Sequence, residues 1–204
     1  MSEKSIGILG GTFNPIHNQH LLLAKQAYEQ LKVDKVLLMP SGVSYLKKDT
    51  GVLPAETRYN MCALAAEAFP FLEVSDIEIK RSGNTYTYET LEELYINDPD
   101  CTYYFIIGSD TLFMLDKWKE PAYIFEHCVI AVAVRLDDEC TEDAIQHKIK
   151  EYEAGYNAAI KLIDIKISDL SSSMIRRMVS EGKDVRAYVP ESVADYIMKN
   201  GLYR

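Results

Sequence analysis

The sequence predicts an α/β fold, a doubly wound and mostly parallel sheet with helices on both faces. Three observations carry this. Short apolar runs rich in Val and Ile alternate with amphipathic segments of helical period. The alternation recurs along the chain in the manner of βαβ units, whose sheets are covered on both faces. No repeat, low-complexity linker or composition break divides residues 1–204, so one domain is expected.

Six runs read as strands: Ile6 to Leu9, Lys35 to Met39, Leu72 to Ile79, Thr102 to Ile107, Cys128 to Val134 and Lys161 to Ile167. Between them, residues 18–31 place Leu21, Ala24, Ala27 and Leu31 on one helical stripe, with Tyr28 at its edge. Pro54 suits the first turn of a helix through Phe69, and Thr87 can cap one running to about Ile96. Residues 141–158 are charged and contain Ala, with Gly155 near the end. Two more helices follow, one from within Ser171 to Ser173 as far as Gly182, the other from near Pro190 to Gly201.

An apolar content of 48% over 204 residues is enough for one sizeable core. The 31 acidic against 22 basic residues, a formal charge of −9, argue against nucleic acid or an anionic membrane as partner. Any anionic ligand must then be held by a local basic cluster. The longest apolar runs, such as Leu21 to Ala24 or Val129 to Val134, fall far short of the ~20 residues of a membrane span. A strand directly after Met1 to Lys4 leaves no room for a signal peptide, and a cytoplasmic protein is expected. Cys62, Cys101, Cys128 and Cys140 include no C-x-x-C pair and read as ordinary buried or surface thiols.

The chemistry concentrates in residues 10–20, GGTFNPIHNQH, directly after the first strand. In doubly wound sheets, ligands bind at the carboxyl ends of strands where the strand order reverses. Gly10 and Gly11 let the backbone turn sharply and admit a ligand without side-chain obstruction. The spacing is neither G-x-G-x-x-G nor the P-loop. Asn14-Pro15 signals a turn, and Asn18 can cap the helix carrying His20. Amides at that helix start offer a phosphate site. His17 and His20, one turn apart, can donate to phosphate oxygens, more strongly when protonated. Taken alone, the two histidines fit a plain surface as well as a site. Metal ligation is the weaker alternative, because His127 and His147 join no ligand set. Far along the chain SSSMIR sets Ser171, Ser172 and Ser173 at a helix start with Arg176 in its first turns, a second phosphate site.

GGTFNPIHNQH with SSSMIR resembles the nucleotidyltransferases of Rossmann-like fold that carry H-x-G-H near the N-terminus and S-S/T-x-I-R near the C-terminus. PSGVSYLKKD, NTYTYETLEEL, FIIGSDTLFMLDKW and YIMKNGLYR narrow the resemblance to the bacterial nicotinate-nucleotide adenylyltransferases. It covers nearly the whole chain and is weakest over 136–160. The resemblance implies transfer of AMP from ATP to nicotinate mononucleotide, with Mg²⁺ as cofactor and deamido-NAD and pyrophosphate as products, in NAD biosynthesis. It implies catalytic roles for His17, His20 and Arg176 on the phosphates, and for Lys47 or its neighbour Lys48. Gly10, Gly11, Thr12 and Phe13 would line the ATP site with Ser171, Ser172, Ser173, Gly108 and Asp110. The Asp110 carboxylate can take ribose hydroxyls or hydrated Mg²⁺, and no other protein ligand for the metal is implied.

The nicotinate mononucleotide end of the resemblance falls on other residues. Thr85, Tyr86 and Thr87 precede a helix whose amides could receive the pyridine carboxylate. Trp118, the single Trp, would stack on the ring, although residue type alone favours the core. Arg135 reads equally as a mononucleotide contact or a surface charge. A second copy of the chain is left open as a partner.

Two positions depart from the family pattern. Asn14 stands where Asp is common, a near-isosteric change expected to matter little. Gln19 stands at the Gly of H-x-G-H, where its side chain would turn to solvent, hydrogen-bond adenine, or weaken ATP binding. A non-catalytic nucleotide-binding protein finds its only support there. Another adenylyltransferase or a cytidylyltransferase of the superfamily is the remaining alternative, opposed by Thr85 to Thr87 and Trp118.

Overall fold

A computed structural model describes residues 4–44, 51–134, 141–165 and 170–204. The strands are β1 (Ser5–Gly11), β2 (Lys35–Pro40), β3 (Val43–Ser44), β4 (Leu72–Val74), β5 (Asn84–Thr85), β6 (Thr102–Gly108), β7 (Val129–Ala133) and β8 (Ile160–Ile163). Six of them form a parallel sheet in the order β4-β2-β1-β6-β7-β8, and β3 pairs with β5 in a separate parallel ribbon. This is the Rossmann-like α/β architecture expected from the alternation.

The pleat sends alternate side chains to opposite faces and so builds two cores. Ile6 and Ile8 of β1, Leu37 and Met39 of β2, and Tyr103, Phe105 and Ile107 of β6 face one of them. There they meet α4 (Thr87–Asn97), α6 (Pro121–His127) and α7 (Glu142–Tyr156) through Leu91, Phe125 and Tyr152. Leu9, Val36, Leu38 and Ile106 face the other core. It is covered by α1 (Asn18–Leu31), α2 (Ala55–Ala66), α8 (Ser172–Ser180) and α9 (Glu191–Lys199). The predicted α1 stripe of Leu21, Ala24, Ala27 and Leu31 is the set the helix buries. Each large aliphatic side chain so buried contributes roughly 1.5–3 kcal/mol.

Several boundaries differ from the sequence reading. The run Leu72 to Ile79 leaves the sheet after Val74, and the short helix α3 (Ile77–Lys80) follows, closed by Lys80 N–H on the Asp76 carbonyl. The last strand begins at Ile160, and among the described residues its ladder ends at Ile163, where the Gln30 side chain takes over both backbone groups of Asp164; residues 166 and 167 of the predicted run lie outside the described residues. α2 stops at Ala66, where Phe69 N–H closes a tighter turn on its carbonyl. Thr87 is the first helical residue of α4, with Tyr86 at the cap position. α5 (Ser109–Leu112), α6 and the two-residue strands are too short to leave a periodic signal.

The strand order reverses between β1 and β6, so Gly11 and Gly108 end on either side of the switch point. Among the described residues, no helix is long and apolar enough to cross a membrane. Cys62, Cys101 and Cys128 are buried free thiols, and Cys140 lies outside the described residues.

Candidate active site

The chain leaves β1 still extended through Gly10 and Gly11, which pair with Met39 and Pro40. The reversal expected at the glycines is made instead at Phe13, φ 47°, and the Asn14-Pro15 dipeptide after it. A Cβ on Gly10 would meet only the Phe105 ring at 3.7 Å, an ordinary contact. The fold has room for it, so what that glycine leaves open is the cavity it lines.

The turn is gripped by distant parts of the chain. The Asn14 carbonyl accepts from Arg176 Nη1 at 2.9 Å, and the Pro15 carbonyl accepts from Ser172 Oγ at 2.8 Å. Asn14 Oδ1 accepts from Tyr203 Oη at 2.9 Å and from Leu53 N–H at 3.3 Å, while its Nδ2 donates to the Gly51 carbonyl at 3.0 Å. Two expectations change as a result. Ser172 is a tie to the turn rather than a free phosphate donor, and Ser171 caps α8 by accepting from Met174 N–H at 3.2 Å. Asn14 is more than a neutral stand-in for Asp, because its amide is used as a donor that no carboxylate supplies.

At the start of α1 the cap position is His17, not Asn18. Asn18 N–H is taken by the Tyr188 carbonyl at 2.9 Å and so is not offered to a phosphate. The His17 and His20 rings stack with centroids 3.6 Å apart, and His17 N–H donates to His20 Nδ1 at 3.2 Å. That bond leaves the proton of a neutral His20 ring on Nε2. Burial pushes His17 down to about 4, and burial with the neighbouring ring holds His20 well below the ordinary imidazole value. Both are therefore neutral hydrogen-bonding groups near pH 7, where the sequence reading allowed for cations.

Two cavities meet at this turn, at the carboxyl ends of β1 and β6. One, of about 350 Å³, is walled by Gly10, Thr85, Thr87, Phe105, Gly108 and Trp118. The other, of about 620 Å³, is walled by Phe13, His17, Asp110, Ser171, Ser173 and Arg176. Gly11, Thr12 and His20 line both. In the first, Thr85 Oγ1 and Trp118 Nε1 are buried without a hydrogen-bond partner among the described residues. Such groups cost about 1–3 kcal/mol each, and a polar group entering the cavity could satisfy them. Trp118 stands edge-on to Phe105, centroids 6.0 Å apart, and is half-buried rather than core. Tyr86 turns aside, with Lys119 Nζ 4.3 Å over its ring.

Sequence reasoning missed Glu78 and Arg58. Glu78 lines the smaller cavity, where burial pushes its carboxyl up against bonds from Thr90 Oγ1 at 3.0 Å and from Gly42 N–H. A Cβ on Gly42 would run into the Glu78 carbonyl, which is why the chain has Gly there. The strand-like composition of Leu72 to Ile79 concealed Glu78, and Arg58 reads in the sequence as one more charged position on a helix. Lys47, Lys48 and Arg135 lie outside the described residues. Among the described residues no three His, Cys, Asp or Glu side chains form a metal-holding set, and Asp110 is the carboxylate on the larger cavity. A single carboxylate there fits a cation that takes its remaining ligands from substrate phosphates and water.

The cytidylyltransferase-like family model matches residues 8–178. A protein of Lachnoclostridium phytofermentans named "Probable nicotinate-nucleotide adenylyltransferase" is 42% identical over 98% of this chain and 99% of its own length. One of the same name in Dehalococcoides mccartyi is 39% identical over 100% of this chain and 98% of its own. The chain belongs to the nicotinate-nucleotide adenylyltransferase family. Among solved structures, Plasmodium falciparum nicotinic acid mononucleotide adenylyltransferase complexed with NaAD shares the fold. Its TM-score is 0.80 over 98% of this chain and 97% of that one, at 23% identity.

Within this nicotinate-nucleotide adenylyltransferase family chain, the departure at Gln19 takes a definite form. Gln19 lines the larger cavity with its Oε1 buried, so the side chain does not turn out to solvent.

Proposed function

We propose that the chain transfers AMP from ATP to nicotinate mononucleotide, releasing pyrophosphate and forming deamido-NAD. A cytosolic single-domain enzyme with Mg²⁺-ATP as co-substrate goes with this reading. The observation that carries it is the junction of the two cavities at Gly11, Thr12 and His20. One cavity suits an aromatic acid. The other suits a polyphosphate.

In the smaller cavity, Trp118 offers a ring face to the pyridine, and Thr85 and Thr87 flank the amino end of α4. The first-turn amides of a helix lack partners within it, so they favour a carboxylate over a carboxamide. In the larger cavity, Arg176 supplies positive charge, and Ser173 and the amides of the α8 start supply donors for the ATP phosphates.

A mononucleotide phosphate oxygen attacks the α-phosphorus of ATP. One P–O bond forms as the bond to pyrophosphate breaks, and the electron pair leaves with pyrophosphate. Phosphate needs no strong base for this at pH 7, so alignment and charge stabilisation do the work. His20, at the junction, donates from Nε2–H to a phosphate oxygen there, and its neutral state suits that role. Asp110, on the wall of the larger cavity, would help hold a Mg²⁺ ion brought with ATP, which would supply neutralisation of charge on the departing pyrophosphate.

The test is pyrophosphate release from ATP and Mg²⁺ with nicotinate mononucleotide and, in parallel, nicotinamide mononucleotide. Turnover with a strong preference for the acid is expected. ATP binding by folded protein with no turnover of either would replace this reading with a nucleotide-binding one.

A further inference from the structure

Arg58 sits in the first turn of α2, at 2% exposure, under the turn that joins the two cavities. Its Nη1 donates to the Thr12 carbonyl at 2.7 Å, its Nη2 to the Ser41 carbonyl at 2.7 Å, and its Nε to the Leu53 carbonyl at 3.0 Å. Thr12 follows β1, Ser41 follows β2 and Leu53 precedes α2. One guanidinium thus pins three separate segments, two of which line the smaller cavity.

All three acceptors are neutral. The titratable groups facing Arg58 are Cys62, one turn along α2, and Tyr203 from the C-terminal segment. Burial pushes both well above their ordinary values, so neither is an anion at pH 7. Among the described residues no carboxylate pairs with Arg58. A buried charge without a counter-charge is expensive to keep, and the chain has no general need of one, carrying −9 overall. Its location gives it a use.

A trans peptide is planar, with its N–H directed opposite to its C=O. Holding the Thr12 carbonyl inward therefore turns the Phe13 N–H away from the guanidinium. The Ser41 peptide behaves likewise, and its Gly42 N–H is the one bonded to Glu78. A cation at the carbonyl end also polarises each peptide and strengthens its N–H as a donor.

We propose that Arg58 is a positioning residue for the phosphate turn, and that the anionic substrates, not a carboxylate among the described residues, supply its counter-charge. This rests on the reading of the crevice as a phosphate site. The test uses full-length wild type, Arg58→Lys and Arg58→Gln, with pyrophosphate binding followed by calorimetry and folding by thermal melting. Lys keeps the charge but cannot span three carbonyls, and Gln loses the charge. Both variants should melt several degrees lower. Arg58→Lys should bind pyrophosphate within about 3-fold of wild type and lose mainly kcat, whereas Arg58→Gln should lose about 10-fold or more in affinity. Equal losses in the two, or no loss in either, would overturn the charge role. Where Arg58→Gln does not fold, Arg58→Met replaces it. If neither neutral variant folds, Arg58 serves structure alone and the proposal fails. Pyrophosphate binding requires no mononucleotide. Failure of the nicotinate reading would therefore appear as a wild type without turnover whose anion binding still depends on Arg58.

Discussion

The backbone N–H of His17 donates to Nδ1 of His20 at 3.2 Å, and the two imidazoles stack with centroids 3.6 Å apart. The bond assigns His20 a tautomer, and burial disfavours the charged form of both rings, with the neighbouring His17 adding to the effect at His20.

Stability should therefore fall in acid. The folded-state value of His17 is depressed from 6.5 to about 4, so between those pH values the unfolded chain binds more protons. The stabilisation is fully present above pH 6.5 and is lost as the pH falls toward 4, by about 3 kcal/mol for His17. His20 acts in the same direction. Melting temperatures of wild type and of a His17→Gln, His20→Gln double variant, compared from pH 7.5 to 4.5, check this. Parallel profiles would show that burial does not hold the rings neutral.

Asn14→Asp should be costly despite the similar shape. It sets a carboxylate oxygen against the Gly51 carbonyl, where Nδ2 now donates at 3.0 Å. About 1–3 kcal/mol of stability should be lost, with looser anchoring of Gly51 to Leu53. A melting temperature at or above wild type would mean that the surrounding cations, Arg58 and Arg176, outweigh that repulsion.

Ser172→Ala and Arg176→Ala should separate a tie from a ligand. Ser172 donates to Pro15 and should cost about 1 kcal/mol of stability, with little change in ATP KM. Arg176 also faces the larger cavity, so its loss should raise ATP KM and lower kcat by about 10-fold or more. Equal kinetic losses would return Ser172 to the phosphate site.

Trp118→Ala should raise the mononucleotide KM by about 10-fold and leave ATP KM nearly unchanged, because Trp118 lines only the smaller cavity. Steady-state kinetics with each substrate varied in turn decide it. A defect confined to ATP would remove the ring from the nicotinate end.

Gln19→Gly should change ATP KM by less than about 10-fold, since the cavity already accommodates the side chain, and lower the melting temperature slightly through helix propensity. A fall in ATP KM by orders of magnitude would show that Gln19 obstructs the nucleotide.

The sequence by itself determined the parallel α/β fold, the α1 stripe and the two motif ends that meet at the crevice. These are written in local periodicity, in turn chemistry and in residue types that few other sites require. Tertiary structure decided what each polar group does. Ser172 and Arg176 reach carbonyls more than 150 residues away, at Pro15 and Asn14. Arg58 looked like one more charged position on a helix, and Glu78 like part of a strand. A donor's role depends on which acceptor lies within about 3 Å, and the spacing of residues along a chain carries no record of that distance.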